Sequence, residues 1–178
     1  MGHTRRDGGR LGRIRRSYEQ GADEAGGERP LVGYVALLGG YAALAATAVG
    51  AVALTRRRPL PRRPAPADLA LLAVATFRTS RLLAKDAVTS PLRAPFTTYQ
   101  EPAGPGEVTE APRPGPVRHA VGELLICPFC LTQWVATAGV AGLLVAPTAT
   151  RWLAGGMTVV SAADVLQLAY AKLQQAAG

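Results

Sequence analysis

Charge is not spread along this chain. It crowds into the first thirty residues and a few connecting segments, and long stretches with little or no charge lie between them. A soluble helical domain distributes charge to wet one face of each helix, whereas a chain that enters lipid segregates it. The overall hydrophobic content, 48%, is ordinary for a globule, so the distribution and not the amount carries the argument. The clearest block is Leu31 to Leu54, which holds no charge at all. About twenty helical residues at 1.5 Å each cross a hydrocarbon core of roughly 30 Å, so this block is long enough to span. It also exceeds the apolar region of a signal peptide, about 7–15 residues, and an uncleaved anchor is expected.

Three further spans are expected. Residues 67–85 (ADLALLAVATFRTSRLLAK) form a semi-polar candidate whose Asp68 favours a helix N-terminus. A buried or interfacial helix is the alternative for this segment. Residues 123–146 and 152–173 supply the remaining two, with Trp152 and Tyr170 near the ends of the last, where amphipathic rings favour the interface. The predicted fold is therefore all-α, a polytopic bundle of four transmembrane helices. Small residues recur at Gly39, Ala43, Ala46 and Gly50, and again at Ala138, Gly142 and Ala146, which lets helix backbones approach closely.

The connecting segments are distinct in character. Residues 1–30 mix Arg with Asp and Glu among many glycines and lack the apolar content to offset ordering entropy, so a disordered tail is expected. Arg5-Arg6 is followed by Asp-Gly-Gly instead of an apolar run, which argues against a twin-arginine export signal. Residues 55–66, TRRRPLPRRPAP, form a stiff basic loop in which Arg56, Arg57, Arg58, Arg62 and Arg63 are placed to meet anionic lipid headgroups. Residues 91–118 are rich in Pro and Gly without an apolar period and read as an extended or disordered surface loop. Leu92 and Phe96, around Pro91, Arg93 and Pro95, are expected at the membrane surface.

The chain is basic, with a net charge of +8. Its arginines adjoin apolar spans and no nucleic-acid-binding module is recognisable, so lipid and not nucleic acid is the expected partner. With four spans, the side holding both termini and the long loop carries seven tail arginines, six basic residues between Arg78 and Arg118, and Lys172. The opposite side carries the five loop arginines and Arg151. The positive-inside rule then puts both termini in the cytoplasm of a multi-pass cell-membrane protein.

Two places hold chemistry. Arg78, Arg81 and Lys85 share one helix stripe, and a lone arginine in a bilayer costs at least about 2.5 kcal/mol, so a partner is expected. Arg78 lies at nearly the same depth in its span as Asp164 in the last one, and Arg78 or Arg81 is predicted to pair with Asp164. Snorkelling of the arginines to headgroups is the alternative. Cys127-Pro128-Phe129-Cys130 holds both cysteines of the chain. Three readings stay open. Cys127 could act as a nucleophile with Cys130 as resolving thiol, although there is no second cysteine pair to relay electrons. The pair could be a zinc half-site with His119 as third ligand, completed in a dimer. Or both thiols simply pack while Pro128 sets the helix entry. Packing is the committed reading, and no cofactor and no catalytic activity are expected.

Two segments also resemble a known family. FRTSRLLAKDAVTSPLRAPF (Phe77 to Phe96) and VGELLICPFCLTQWVA (Val121 to Ala136) are similar to the bacterial membrane-protein family catalogued as domain of unknown function 1360. Its members carry an Arg-rich FRxxRLxxxD…PLR segment and a G-x-LL-x-C-x-x-C-x-x-x-W segment. The resemblance covers residues 67 to 173 and leaves the tail and first span as an extension. Thr132 departs from the small residue typical two places after the second cysteine. The resemblance implies a membrane protein and no particular activity. The expected role is structural or accessory, through helix packing with a second copy or another membrane protein.

Overall fold

The computed structural model describes residues 10–24, 29–55 and 64–177. Helix α1 is Arg10–Glu24, α2 Leu31–Thr55 and α3 Pro66–Lys85. A 3-10 turn, Ala87–Thr89, leads into the single turn α4, Ser90–Arg93. Strands β1, Thr97–Gly104, and β2, Glu107–Pro112, follow, then α5, Pro116–Ile126, α6, Pro128–Val145, and α7, Pro147–Ala177.

Among the described residues, three helices are long and apolar enough to cross a membrane: α2, α6 and α7. Almost none of their length is buried within the protein. Leu38, Val49, Leu54, Leu153, Val159, Leu166 and Leu173 all point outward at 68–89% exposure. Soluble monomers rarely expose so much contiguous apolar surface. Threonines along these helices return their hydroxyls to the carbonyl four residues back, as Thr137 does to Gln133 and Thr158 to Ala154, both at 2.9 Å. A hydroxyl treated this way needs no water.

The helix α3 is not among the apolar three, and its position explains its composition. It packs against both α6 and α7. Leu72, Ala75, Thr76, Ser80 and Ala84 are buried, and Leu72 and Ala75 form a core with Ala154 of α7. Pro66 starts the helix, Asp68 lies in its first turn and Lys85 in its last, which suits the helix dipole. Asp68 meets Arg151 and, further along, Arg78 meets Asp164, so α3 and α7 run the same way. Ser80 touches Thr132 and Leu72 touches Gly139, so α6 runs against them. The helix α2 lies on α5 and α6, parallel to α6, through Tyr41, whose ring meets Trp134 edge-on at 5.4 Å. Of the predicted fold, the mostly helical character is met: α3, α6 and α7 pack mutually, and α2 lies against α5 and α6.

Three expectations are corrected. The fold is mostly helical but not all-α, because residues 97–112 form an antiparallel hairpin where a structureless loop was expected. The hairpin turns at Pro105-Gly106, and Gly106, at φ +75°, takes the left-handed backbone that a side chain resists. Thr, Tyr and Val supply the strand propensity, while Pro102 sits beside a register shift, where a missing N–H does least harm. The tail is not wholly disordered, since α1 occupies Arg10–Glu24, with an Arg15–Glu19 pair one turn apart. The third span is not continuous from Glu123. Pro128 cannot donate to the preceding turn, so the chain breaks at Cys127 into α5 and α6.

Candidate functional site

The end of the molecule formed by the start of α2, the end of α3, the hairpin and α5 gathers most of its polar chemistry. At its centre is Arg93, fully buried, held by Glu110, itself nearly so. Arg93 Nε and Nη2 donate to the two Glu110 oxygens at 2.9 and 3.0 Å. Nη1 donates to the Leu83 carbonyl at 2.8 Å and Thr89 Oγ1 at 2.6 Å, and Nη2 to the Asp86 carbonyl and Ser90 Oγ, both at 3.1 Å. Glu110 also accepts from Ser90 and Thr97 hydroxyls. Burial alone would raise the Glu110 carboxyl, but the hydrogen bonds from Arg93, Thr97 and Ser90 outweigh it and hold it below the usual carboxylate range. The guanidinium also lies over the last carbonyls of α3, where a cation suits the helix dipole. This knot ties α3 to the hairpin. Arg93 is buried at its centre, while Leu92 beside it is 63% exposed.

Arg78 and Arg81 of the α3 stripe meet three carboxylates. Arg78 donates to both oxygens of Asp86, at 3.0 and 3.4 Å, and its Nε lies 3.1 Å from Asp164 Oδ2. That Nε–H is not aimed at the carboxylate, so Asp164 contributes charge, not a hydrogen bond. Arg81 meets Glu107 of the hairpin at 2.7 Å through two parallel bonds, and not Asp164. Both arginines thus have carboxylate partners within the chain. At the far end of α3, Arg151 grips Asp68 at 2.8 and 2.7 Å.

The cysteines sit where α5 gives way to α6. Cys127 takes an extended backbone and caps α6 with its sulfur, which accepts the Cys130 N–H at 3.2 Å. Cys130 Sγ donates to Cys127 Sγ at 2.7 Å, and both thiols are free. A cleft of about 580 Å³ opens on the pair and is lined by Arg29, Tyr34, Leu37, Ala120, Glu123 and Leu124 among others. Glu123 is hydrogen-bonded by Arg29 and by the Tyr34 hydroxyl, and His119 Nε2 lies 3.7 Å from the same carboxylate. Among the described residues, no three His, Cys, Asp or Glu side chains are grouped to hold a metal ion. Arg56, Arg57, Arg58, Arg62 and Arg63 lie outside the described residues.

Residues 71–170 match the profile of a family described as protein of unknown function DUF1360. The chain belongs to this family. The matched segment runs from α3 into α7 and includes the Arg93–Glu110 knot, both arginine–carboxylate pairs of α3 that lie near the hairpin, and the cysteines. The sporulation protein YjcA of Bacillus subtilis (strain 168) is 31% identical over 110 residues, 60% of this chain and 93% of that protein. No solved structure matches the chain.

Sequence reasoning about this DUF1360 segment missed Glu110, Glu107, Asp86 and Glu123 as partners. The hairpin brings Glu107 and Glu110 to α3 and α4, and Asp86 stands just past the end of α3. Only Asp86 had a local signal, eight residues after Arg78 on the same helical side.

Proposed function

We propose that this chain is a multi-pass protein of the bacterial cell membrane, with α2, α3, α6 and α7 as four spans and a structural or accessory role. The outward-facing apolar side chains of α2, α6 and α7 carry the reading, because lipid is the solvent that leaves them without cost. The helix α3 is the fourth span by the same logic, since α6 and α7 shield it and its arginines travel with carboxylates. Arg56, Arg57, Arg58, Arg62 and Arg63 contact anionic lipid at one face. The helix α1, with Arg10, Arg13, Arg15 and Arg16 beside exposed Ile14 and Tyr18, rests on the other. The hairpin stands on that second face as a small headpiece, and both termini lie in the cytoplasm.

Partners are the bilayer and a second membrane helix, from another copy or another protein. An apolar groove of about 490 Å³ between α2 and α6, lined by small residues such as Ala45, Ala48, Ala136 and Ala141, supports such packing. The Bacillus relative is named as a sporulation protein, and we carry only that association to this chain. The test is extraction. The protein is expected to stay with membranes through alkaline carbonate and to dissolve only in detergent. A monodisperse aqueous protein without detergent would refute the reading. Cys127 and Cys130 report its orientation, because a membrane-impermeant maleimide should label them in inverted vesicles and not in intact cells.

A further inference from the structure

The cysteine pair has the arrangement of an exchange site and not of two packed thiols. Cys127 Sγ receives both a backbone N–H and the Cys130 thiol, and it stands at the N-terminus of α6. A group so placed faces the positive end of the helix dipole. Cys130 is exposed, Phe129 beside it is 89% exposed, and the two sulfurs lie against one another. A cleft large enough for several side chains opens beside them. Its carboxylate, Glu123, is engaged by Arg29 and Tyr34, which lessens its repulsion of a thiolate.

We infer that Cys127 and Cys130 exchange a disulfide with a cysteine pair on a second protein, presented as an extended segment in this cleft. The inference is independent of the spanning role proposed above. The Cys127 thiolate attacks one sulfur of the partner's disulfide, and the other partner sulfur leaves as a thiolate and takes up the proton that Cys127 lost. Cys130, once deprotonated, attacks Cys127 and displaces the first partner sulfur, which takes that second proton. The partner gains two thiols and this chain gains one disulfide. Exchange with a partner dithiol runs the same steps backwards. No further oxidant or reductant enters.

The experiment uses the full chain in detergent micelles, glutathione redox buffers and a maleimide mass tag. Taggable thiols should fall from two to none as the buffer becomes oxidising and should return on reduction. Cys130→Ser should retain a glutathione mixed disulfide on Cys127, formed about tenfold faster than on Cys130 in Cys127→Ser. Leu37→Trp, which fills the cleft, should slow exchange with a disulfide-bridged peptide and leave exchange with glutathione unchanged. Two taggable thiols at every redox ratio would overturn the exchange. Equal rates in the two serine variants would overturn Cys127 as the attacking sulfur, and equal slowing of both probes by Leu37→Trp would overturn the cleft as the entry.

Discussion

Removing the Glu110 carboxylate should be the most damaging single change in the polar half of this protein. In Glu110→Ala, Arg93 keeps its contacts to the Leu83 and Asp86 carbonyls and to Thr89 and Ser90, but its Nε–H and one Nη2–H lose their acceptor. The Thr97 and Ser90 hydroxyls lose one as well. A buried charge left without its counter-ion costs about 3–5 kcal/mol. For a chain of this size each kcal/mol moves Tm by roughly 2–4 °C, so a fall of about 6–20 °C is expected in detergent. Hydrogen exchange should show the loss concentrated in residues 97–112, which the knot ties to α3. The double replacement Arg93→Met with Glu110→Leu should recover most of the loss, because a packed apolar pair removes the stranded charge. The pH dependence has a definite sign. Glu110 titrates lower folded than unfolded, so its contribution is fully present above the ordinary carboxylate range and disappears as pH falls through its own lower value. A Tm within about 2 °C of the parent for Glu110→Ala, with no acid sensitivity removed, would refute the account of the knot.

Other substitutions separate the remaining contacts. A Cβ on Gly33 would stand 2.0 Å from the Pro116 carbonyl, so Gly33→Val should pry α2 from α5, lowering stability by about 1–3 kcal/mol and opening the intervening segment to protease. Gly122→Ala should do the same between α5 and the hairpin, where the Phe96 carbonyl lies 2.6 Å from the new atom. Asp86→Asn should lower Tm more than Asp164→Asn, because Asp86 receives both aligned hydrogen bonds of Arg78; the reverse order in thermal denaturation would reassign that pair. Asp68→Asn should leave Tm nearly unchanged at moderate salt, since Arg151 is half exposed and water can take the place of the carboxylate.

What the sequence discloses here follows from which forces are local. Apolar length is local: Leu31 to Leu54 announces α2 because every residue in it adds independently to an uncharged run long enough to span. Depth is nearly local too, and equal rise per residue is enough to bring Arg78 level with Asp164. The hairpin is different. Its first strand is mostly exposed and its second mostly half-buried, with only Thr97 and Glu110 of the strands buried, so there is no alternation of apolar and polar residues for a period of two to reveal. Its prolines and glycines then read as disorder. Glu110 illustrates the limit most sharply, because seventeen residues and a turn separate it from Arg93, and nothing in either neighbourhood names the other. A charge that must leave water goes wherever a counter-charge can be folded to meet it. In this chain that place is the end of a helix bundle, and the segment that looked least structured supplies the counter-charge.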